Sequence, residues 1–334
     1  MSPPWSASRT KCWAERMRIC SDDVIYSVVR EEHMLHNDFF LRYLAFEDGE
    51  PPEALTLTCR TGDRPCFQVR YEGEELVRRL ACGREELARY RDSSLGRILG
   101  LPYRPETAFL HEHFAFFASG AADTLHVLAE RDGLRAEKTI SIVPYESPNR
   151  YRFPLRGTVL VTDTYPSVNS HRWCRNSEFA FDAGRFDETL SRPLIEGDPV
   201  YAACGGVVEE VFDGLEDTGG ETDLEQVEAR FGEHARIDGN HVLLRHPGGE
   251  LSLYSHLLKG STAVREGEAV QTGQLLGKVG SSGSSWIPHL HFHVMRDGLE
   301  GPGVPVLFDG LTTILGEPCL LEDPVNLVRW EEKA

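Results

Sequence analysis

Pro288-His289-Leu290-His291-Phe292-His293-Val294 places a histidine at every second position of a short apolar run. In an extended strand successive side chains point to opposite faces, so His289, His291 and His293 share one face while Leu290, Phe292 and Val294 share the other. The apolar face belongs to a core, and the imidazole face is suited to chemistry. Same-face neighbours lie roughly 7 Å apart along a strand, a spacing at which one ring binds a metal while another works beside it. A half-buried strand with solvated histidines is the plainer explanation, but imidazoles gathered this way favour a metal or proton-transfer site. An isolated H-x-H is only moderately specific, so its surroundings decide.

Those surroundings carry a series of motifs. GEAVQTGQLLGKVG (267–280) and SSGSSWIP (281–288) lead directly into the histidine strand. Upstream lie FAFDAG (179–184), GDPVYAACGGVVEEV (197–211), GNHVLLRH (239–246) and LSLYSHL (251–257). In this order the segments resemble the LytM/lysostaphin-type zinc metallopeptidases over about residues 155–310; residues 1–150 contribute nothing to the resemblance. The fold that it implies is mainly β, a C-terminal LytM-type β-sheet sandwich (a barrel-sandwich hybrid) with an open groove.

The resemblance also implies a ligand set. The second histidine of H-x-H, His291, and the aspartate that closes the family's H-x-x-x-D motif, Asp182, are the expected metal ligands. Catalytic zinc takes three protein ligands and keeps a fourth position for water. Asp182 follows Phe179, Ala180 and Phe181, and a carboxylate set into an apolar run needs a partner. The third ligand is where the sequence departs from the family, because the position four residues before the aspartate holds Glu178. Glutamate is an acceptable zinc ligand, yet residues i and i+4 of a straight strand are roughly 13 Å apart, so this pair needs a bend to converge. His171, in Ser170-His171-Arg172-Trp173-Cys174, is a candidate because HRWCRNSEFAFD resembles the His-Arg pair, variable loop and Asp-ending strand of some family members, and a histidine on a loop escapes that restriction. His171 is therefore placed ahead of Glu178, with Cys174 among the remaining donors.

His256, in Tyr254-Ser255-His256-Leu257, and His289 are the residues that the resemblance assigns to catalysis, flanking the metal, moving protons around the attacking water and stabilising the tetrahedral intermediate. His293 has no role in the family pattern and is read as a partner behind the ligands or a wall of the cleft. His111-Glu112-His113 imitates a metal motif but has no third donor nearby, and His241 and His246 read as packing residues. Gly280-Ser281-Ser282-Gly283-Ser284-Ser285 lacks the lysine and helix of a phosphate loop and reads as a strand connection bordering the cleft.

Composition narrows the classes further. The chain has 334 residues, 40% hydrophobic and 26% charged, with a net charge of −18. That acidity argues against a nucleic-acid partner, which needs clustered lysine and arginine. No run of about 18 apolar residues suggests a transmembrane helix. The N-terminal stretch MSPPWSASRTKCWAERMRICSDD has no apolar core of a signal peptide, whereas the substrate implied by the resemblance is extracytoplasmic. Eight cysteines, at 12, 20, 59, 66, 82, 174, 204 and 319, show no C-x-x-C pair; Cys59 and Cys66 are spaced to bridge a hairpin or to stay as free thiols.

Along the chain, residues 1–22 read as a leader. Residues 23–150 alternate polar and apolar positions in segments such as LTLTCR, CFQVRYEG and EKTISIVPY, the pattern of an N-terminal antiparallel β-sandwich domain, with one helix expected over Arg84–Leu99. Glu146-Ser147-Pro148-Asn149-Arg150 marks the boundary, and 151–334 forms the second domain. Within it, 213–238 is an acidic insertion between two strands, expected to wall one end of the groove, with a capping-box pattern at Thr222-Asp223-Leu224-Glu225 ahead of a short helix. The expected function is a zinc-dependent endopeptidase cutting short peptide crosslinks of peptidoglycan or a similar flexible peptide. The alternative is a catalytically inert LytM-like module that binds and regulates a cell-wall hydrolase. Retention of Asp182, His256, His289 and His291 favours the enzyme.

Overall fold

Alternating burial in short β-branched segments dominates the structure, a computed structural model that describes residues 17–20, 23–27, 35–46, 53–80, 108–118, 123–131, 133–164, 171, 175–217, 219–220, 223–231, 237–299, 301–321 and 325–331. The chain is mainly β. Contacts divide it into one unit ending at Tyr145 and another that begins at Glu146.

The first unit contains a five-stranded sheet ordered Val24–Ser27, Leu134–Pro144, Thr124–Arg131, Ala54–Thr61, Arg64–Glu72. Its pairings are antiparallel except that Val24–Ser27 runs parallel to Ser141–Pro144. A three-stranded sheet joins Met17–Cys20, Leu35–Phe46 and Ala108–Ala118. Met17 and Ile19 of the smaller sheet share one core with Leu55, Leu57, Leu125, Val127 and Ile140 of the larger. Four residues of the expected leader are thus strand: Met17–Cys20 pairs with Tyr43–Phe46. The helix expected over Arg84–Leu99 lies outside the described residues, and His111-Glu112-His113 falls within the strand Ala108–Ala118.

The second unit is built on a nine-stranded sheet ordered Ala269–Val270, Gly206–Phe212, His241–Arg245, Glu250–Ser255, Leu290–Arg296, Phe181–Gly184, Gly157–Thr162, Val325–Trp330, Thr312–Thr313. A separate ribbon pairs Pro199–Tyr201 with Leu275–Lys278. The histidine strand is fully internal, as its continuous buried pattern requires. Its Leu290, Phe292 and Val294 are buried to 1% exposure or less, and each such side chain contributes roughly 1.5–3 kcal/mol through burial. Phe292 meets Phe181, Tyr254 and Phe308, while Phe153 stacks on Phe181 at a centroid distance of 5.5 Å. This aromatic layer holds the three central strands together and turns their opposite faces toward the histidines.

The start of this unit is pinned by a buried carboxylate. Glu250 Oε2 accepts hydrogen bonds from Tyr151 Oη at 2.8 Å, Asn149 Nδ2 at 2.6 Å and Ser147 Oγ at 2.9 Å, so burial of a charge to 1% exposure is offset by three donors. The 213–238 insertion links Gly206–Phe212 to His241–Arg245 and contains the helix Leu224–Phe231. Its cap sits one residue later than the sequence pattern suggested. Asp223 Oδ1 accepts the Gln226 amide at 3.2 Å, the bond of an N-cap, and Gln226 Nε2 donates to the Asp223 carboxylate at Oδ2 at 2.6 Å.

Candidate metal centre

Strand register brings the first pair together. Asp182 lies directly opposite His291 on one side, and Ser255, which precedes His256, lies opposite His291 on the other. His291 Nδ1 is 3.0 Å from Asp182 Oδ1. His171 approaches the same oxygen from a loop, with its Nε2 3.5 Å away. Ser177 Oγ donates to the His171 carbonyl at 3.2 Å, and His171 Nδ1–H donates to the Asp163 carbonyl at 3.2 Å. Ligand atoms of His171, Asp182 and His291 all lie within 4.8 Å of one another. Among the described residues, this is the group of such donors that converges closely enough to hold an ion. Glu178 is not part of it, and Cys174 lies outside the described residues.

His256 and His289 stand beside these three. Their ring centroids are 4.7 Å apart, and His256 is 5.9 Å from His291. His289 Nε2 is 3.6 Å from Asp182 Oδ1, while its Nδ1–H donates to the Ile287 carbonyl at 2.8 Å with Ser285 Oγ 3.2 Å away. His256 Nδ1–H donates to the Ser282 carbonyl at 2.8 Å. A neutral imidazole carries one N–H and one lone pair. With Nδ1 donating to a carbonyl in His171, His256 and His289, the lone pair of each neutral ring is at Nε2.

Two backbone positions that shape the site are left-handed although neither is glycine: His256 at φ 60° and Asp163 at φ 54°. Each such conformation costs about 1–3 kcal/mol and persists where surrounding contacts determine it. For His256 those contacts are its amide donating to the Asp238 carbonyl and its carbonyl accepting from the Gly280 amide.

The electrostatics fit ion binding. Burial pushes the Asp182 carboxyl up, but His171, His291 and His289 around it hold it well below the usual carboxylate range. Burial lowers His171, against the pull of Asp182. His256 falls to about 3 through burial and then through the neighbouring His289 and His291. Burial opposes charge on His291 as well, yet its hydrogen bond to Asp182 and the charges of Asp182, Asp238 and Asp163 raise it. The ionised carboxylate and the neutral His171 are in the form that accepts zinc, while His291 must give up a proton for the ion to bind.

Residues absent from the sequence reading support the centre. Asn240 is fully buried and uses its whole side chain: Oδ1 accepts the Gly214 and Leu215 amides, and Nδ2 donates to the Leu215 and Leu257 carbonyls. Its own amide donates to Ser282 Oγ, which donates to the Leu257 carbonyl. The Ser282 carbonyl that orients His256 is therefore fixed from two sides. The acidic insertion joins this loop: Asp217 Oδ1 accepts the Ser281 amide at 2.7 Å, and the Gly220 amide donates to the Ser285 carbonyl at 2.6 Å. It thus borders the loop that carries Ser285, four positions before His289. Gly239 shows why this contact is close. A Cβ there would meet the Ser282 carbonyl at 2.4 Å, at a φ of +65°.

The sequence profile of peptidase family M23 matches residues 192–301. Among curated proteins, the chain is similar to the peptidoglycan DD-endopeptidase ShyC of Vibrio cholerae, 29% identical over 104 residues covering 31% of this chain and 19% of that protein. It is similar also to the DD-carboxypeptidase/endopeptidase Mpg of Neisseria meningitidis, 45% identical over 60 residues covering 18% of this chain and 13% of that protein. The chain thus spans under a fifth of the length of these relatives. A solved catalytic domain of the prophage-encoded M23 protein EnpA from Enterococcus faecalis, a point mutant, overlays with 20% identity over 48% of this chain and 90% of that one, at a TM-score of 0.28. The profile takes in His256, His289 and His291 and begins downstream of His171 and Asp182. Residues 192–301 thus match peptidase family M23, over the part of the chain that carries most of the motifs.

Proposed function

We propose that this chain is a zinc-dependent endopeptidase that hydrolyses short peptide crosslinks of peptidoglycan in an extracytoplasmic compartment, with His171, Asp182 and His291 as ligands and His256 and His289 as catalytic residues. The observation that carries the reading is the convergence of two imidazoles on one ionised, half-buried carboxylate, with two further imidazoles alongside. Two histidines and one carboxylate make the three-ligand set that catalytic zinc uses when a fourth position stays open. The donors lie close enough for one ion, and Asp182 and His171 favour the ionised and the neutral form that it needs. When bound, zinc supplies Lewis acidity toward the scissile carbonyl and a water whose pKa is drawn toward neutrality.

The chain's own residues do the rest. His256, kept neutral by burial and held through Nδ1, presents Nε2 as a proton acceptor for water entering between it and the ligands. His289, held through Nδ1 by the Ile287 carbonyl, faces the same space and is placed to donate or accept at Nε2 as charge develops on the carbonyl oxygen. Peptidoglycan as the substrate is supported by the similarity to a curated peptidoglycan DD-endopeptidase. The test is digestion of purified sacculi by the zinc-loaded protein, with the released fragments identified by mass spectrometry. Cleavage that stops with chelator, returns with zinc and is absent in Asp182→Ala supports the enzyme. A zinc-loaded, folded protein that releases no fragments while binding sacculi hands the reading to the inert regulatory module.

A further inference from the structure

His293 is the one histidine of the 289–293 strand that the ligand and catalytic roles leave over, and it is among the most enclosed. Its exposure is 2%, and it pairs in register with Leu253 in the interior of the sheet. Its Nδ1 lies 2.9 Å from His291 Nε2, with the two rings nearly perpendicular at a centroid distance of 5.1 Å. His291 meets Asp182 through its other nitrogen, Nδ1. The two ring nitrogens of His291 therefore face different partners, and His293 stands on the side away from the carboxylate.

We propose that His293 is a positioning residue for the metal centre: once an ion takes the place of the proton that His291 Nδ1 shares with Asp182, His293 Nδ1 accepts the His291 Nε2–H and holds His291 in the tautomer whose Nδ1 lone pair faces the centre. The inference rests on the metal-centre reading above. A neutral imidazole has one lone pair. If Nδ1 of His291 supplies it to the centre, Nε2 carries the proton and turns it toward an acceptor 2.9 Å away. His293 Nδ1 is that acceptor, which puts the His293 proton on its own Nε2. Ligand histidines are generally held in this way by a carboxylate, a carbonyl or water; here a second imidazole takes the place, where the strand's period of two sets it beneath the ligand.

The test compares three folded proteins for zinc affinity, by competition with a chromophoric chelator. His293→Phe keeps the ring volume without the acceptor, and His293→Asn offers Oδ1 near the position of Nδ1. The Phe variant is expected to bind zinc roughly 10–100-fold more weakly, and the Asn variant to recover most of that loss, with thermal unfolding of the metal-free proteins showing that all three are folded. Imidazole 15N spectra of the zinc-loaded wild type should place the His291 proton on Nε2 and leave His293 Nδ1 unprotonated. These spectra decide the matter even if the Phe variant does not fold. Undiminished zinc affinity in His293→Phe, an Asn variant no better than Phe, or a proton on His293 Nδ1 overturns the inference. If Asp182→Ala releases zinc while His293→Phe does not, only this inference falls; if Asp182→Ala keeps its zinc, the metal-centre reading falls with it.

Discussion

Two groups of histidines lie in and around the same sheet and differ in how their ring nitrogens are used. His241 turns Nδ1 toward the Gly239 carbonyl at 2.8 Å and Nε2 toward Glu210 at 3.3 Å. His246 turns Nδ1 toward the Gly205 carbonyl at 2.9 Å and Nε2 toward Ser252 Oγ at 2.7 Å. Both nitrogens of each ring go to the scaffold. His171, His256 and His289 each commit Nδ1 to a backbone carbonyl, of Asp163, Ser282 and Ile287, and two of them turn Nε2 toward Asp182. Burial and residue type do not separate the two groups; the allocation of the second nitrogen does.

The sharpest way to break that comparison is to remove a ring assigned to the centre. His171→Ala should lose bound zinc and all hydrolysis, since a two-ligand site is too weak to hold the ion, while Glu178→Gln keeps most of both. Metal analysis of the dialysed proteins checks it, and the reverse pattern transfers the ligand role to Glu178. The next effect is smaller and leaves the metal in place. His256→Ala and His289→Ala should retain stoichiometric zinc and lose hydrolysis by roughly 100-fold or more, the scale of a lost acid/base group. Full activity in either variant removes that ring from the chemistry.

The structural histidines should behave in the opposite sense. His241→Phe removes the imidazole partner of the buried Gly239 carbonyl and of the partly buried Glu210, so denaturant melting should show a loss of roughly 1–3 kcal/mol, with zinc affinity of the folded protein unchanged. Acidification gives the smallest effect. Burial, against the Gly205 hydrogen bond and the Glu250 charge, lowers His246 below its ordinary value, near 6.5. The unfolded chain therefore takes up a proton before the folded one does. The stability linked to His246 is complete above about pH 6.5 and is lost as pH falls below it toward the folded-state value. Denaturation midpoints of metal-free protein between pH 7 and pH 5 should decline, and His246→Gln should flatten part of that slope.

What the sequence made legible follows from the range of the forces involved. His289 and His291 announce themselves because a strand's period of two is local, and FAFDAG places Asp182 in a short apolar strand for the same reason. The preference for His171 over Glu178 came from the resemblance of HRWCRNSEFAFD to a pattern in the family, helped by local geometry, the reach of a straight strand. Asn240 and Ser282 escaped notice because a polar residue in GNHVLLRH or SSGSSWIP reads as turn punctuation, and their work consists of contacts across 17 to 42 positions of chain. The helix cap was misplaced by one residue because Thr222 and Asp223 are both good caps, and Gln226 serves Asp223 where Glu225 would have served Thr222. Met17–Cys20 read as part of a leader because four residues carry little periodicity, and what makes them a strand is Tyr43–Phe46 beside them.

The central claim, that His171, Asp182 and His291 form one zinc site, is tested most directly by crystals of the zinc-loaded protein measured on both sides of the zinc absorption edge. The account predicts a single anomalous peak bonded to His171 Nε2, an Asp182 carboxylate oxygen and His291 Nδ1, at roughly 2.0–2.2 Å from each. A peak bonded to Glu178 in place of His171, or at any other position in the domain, contradicts it.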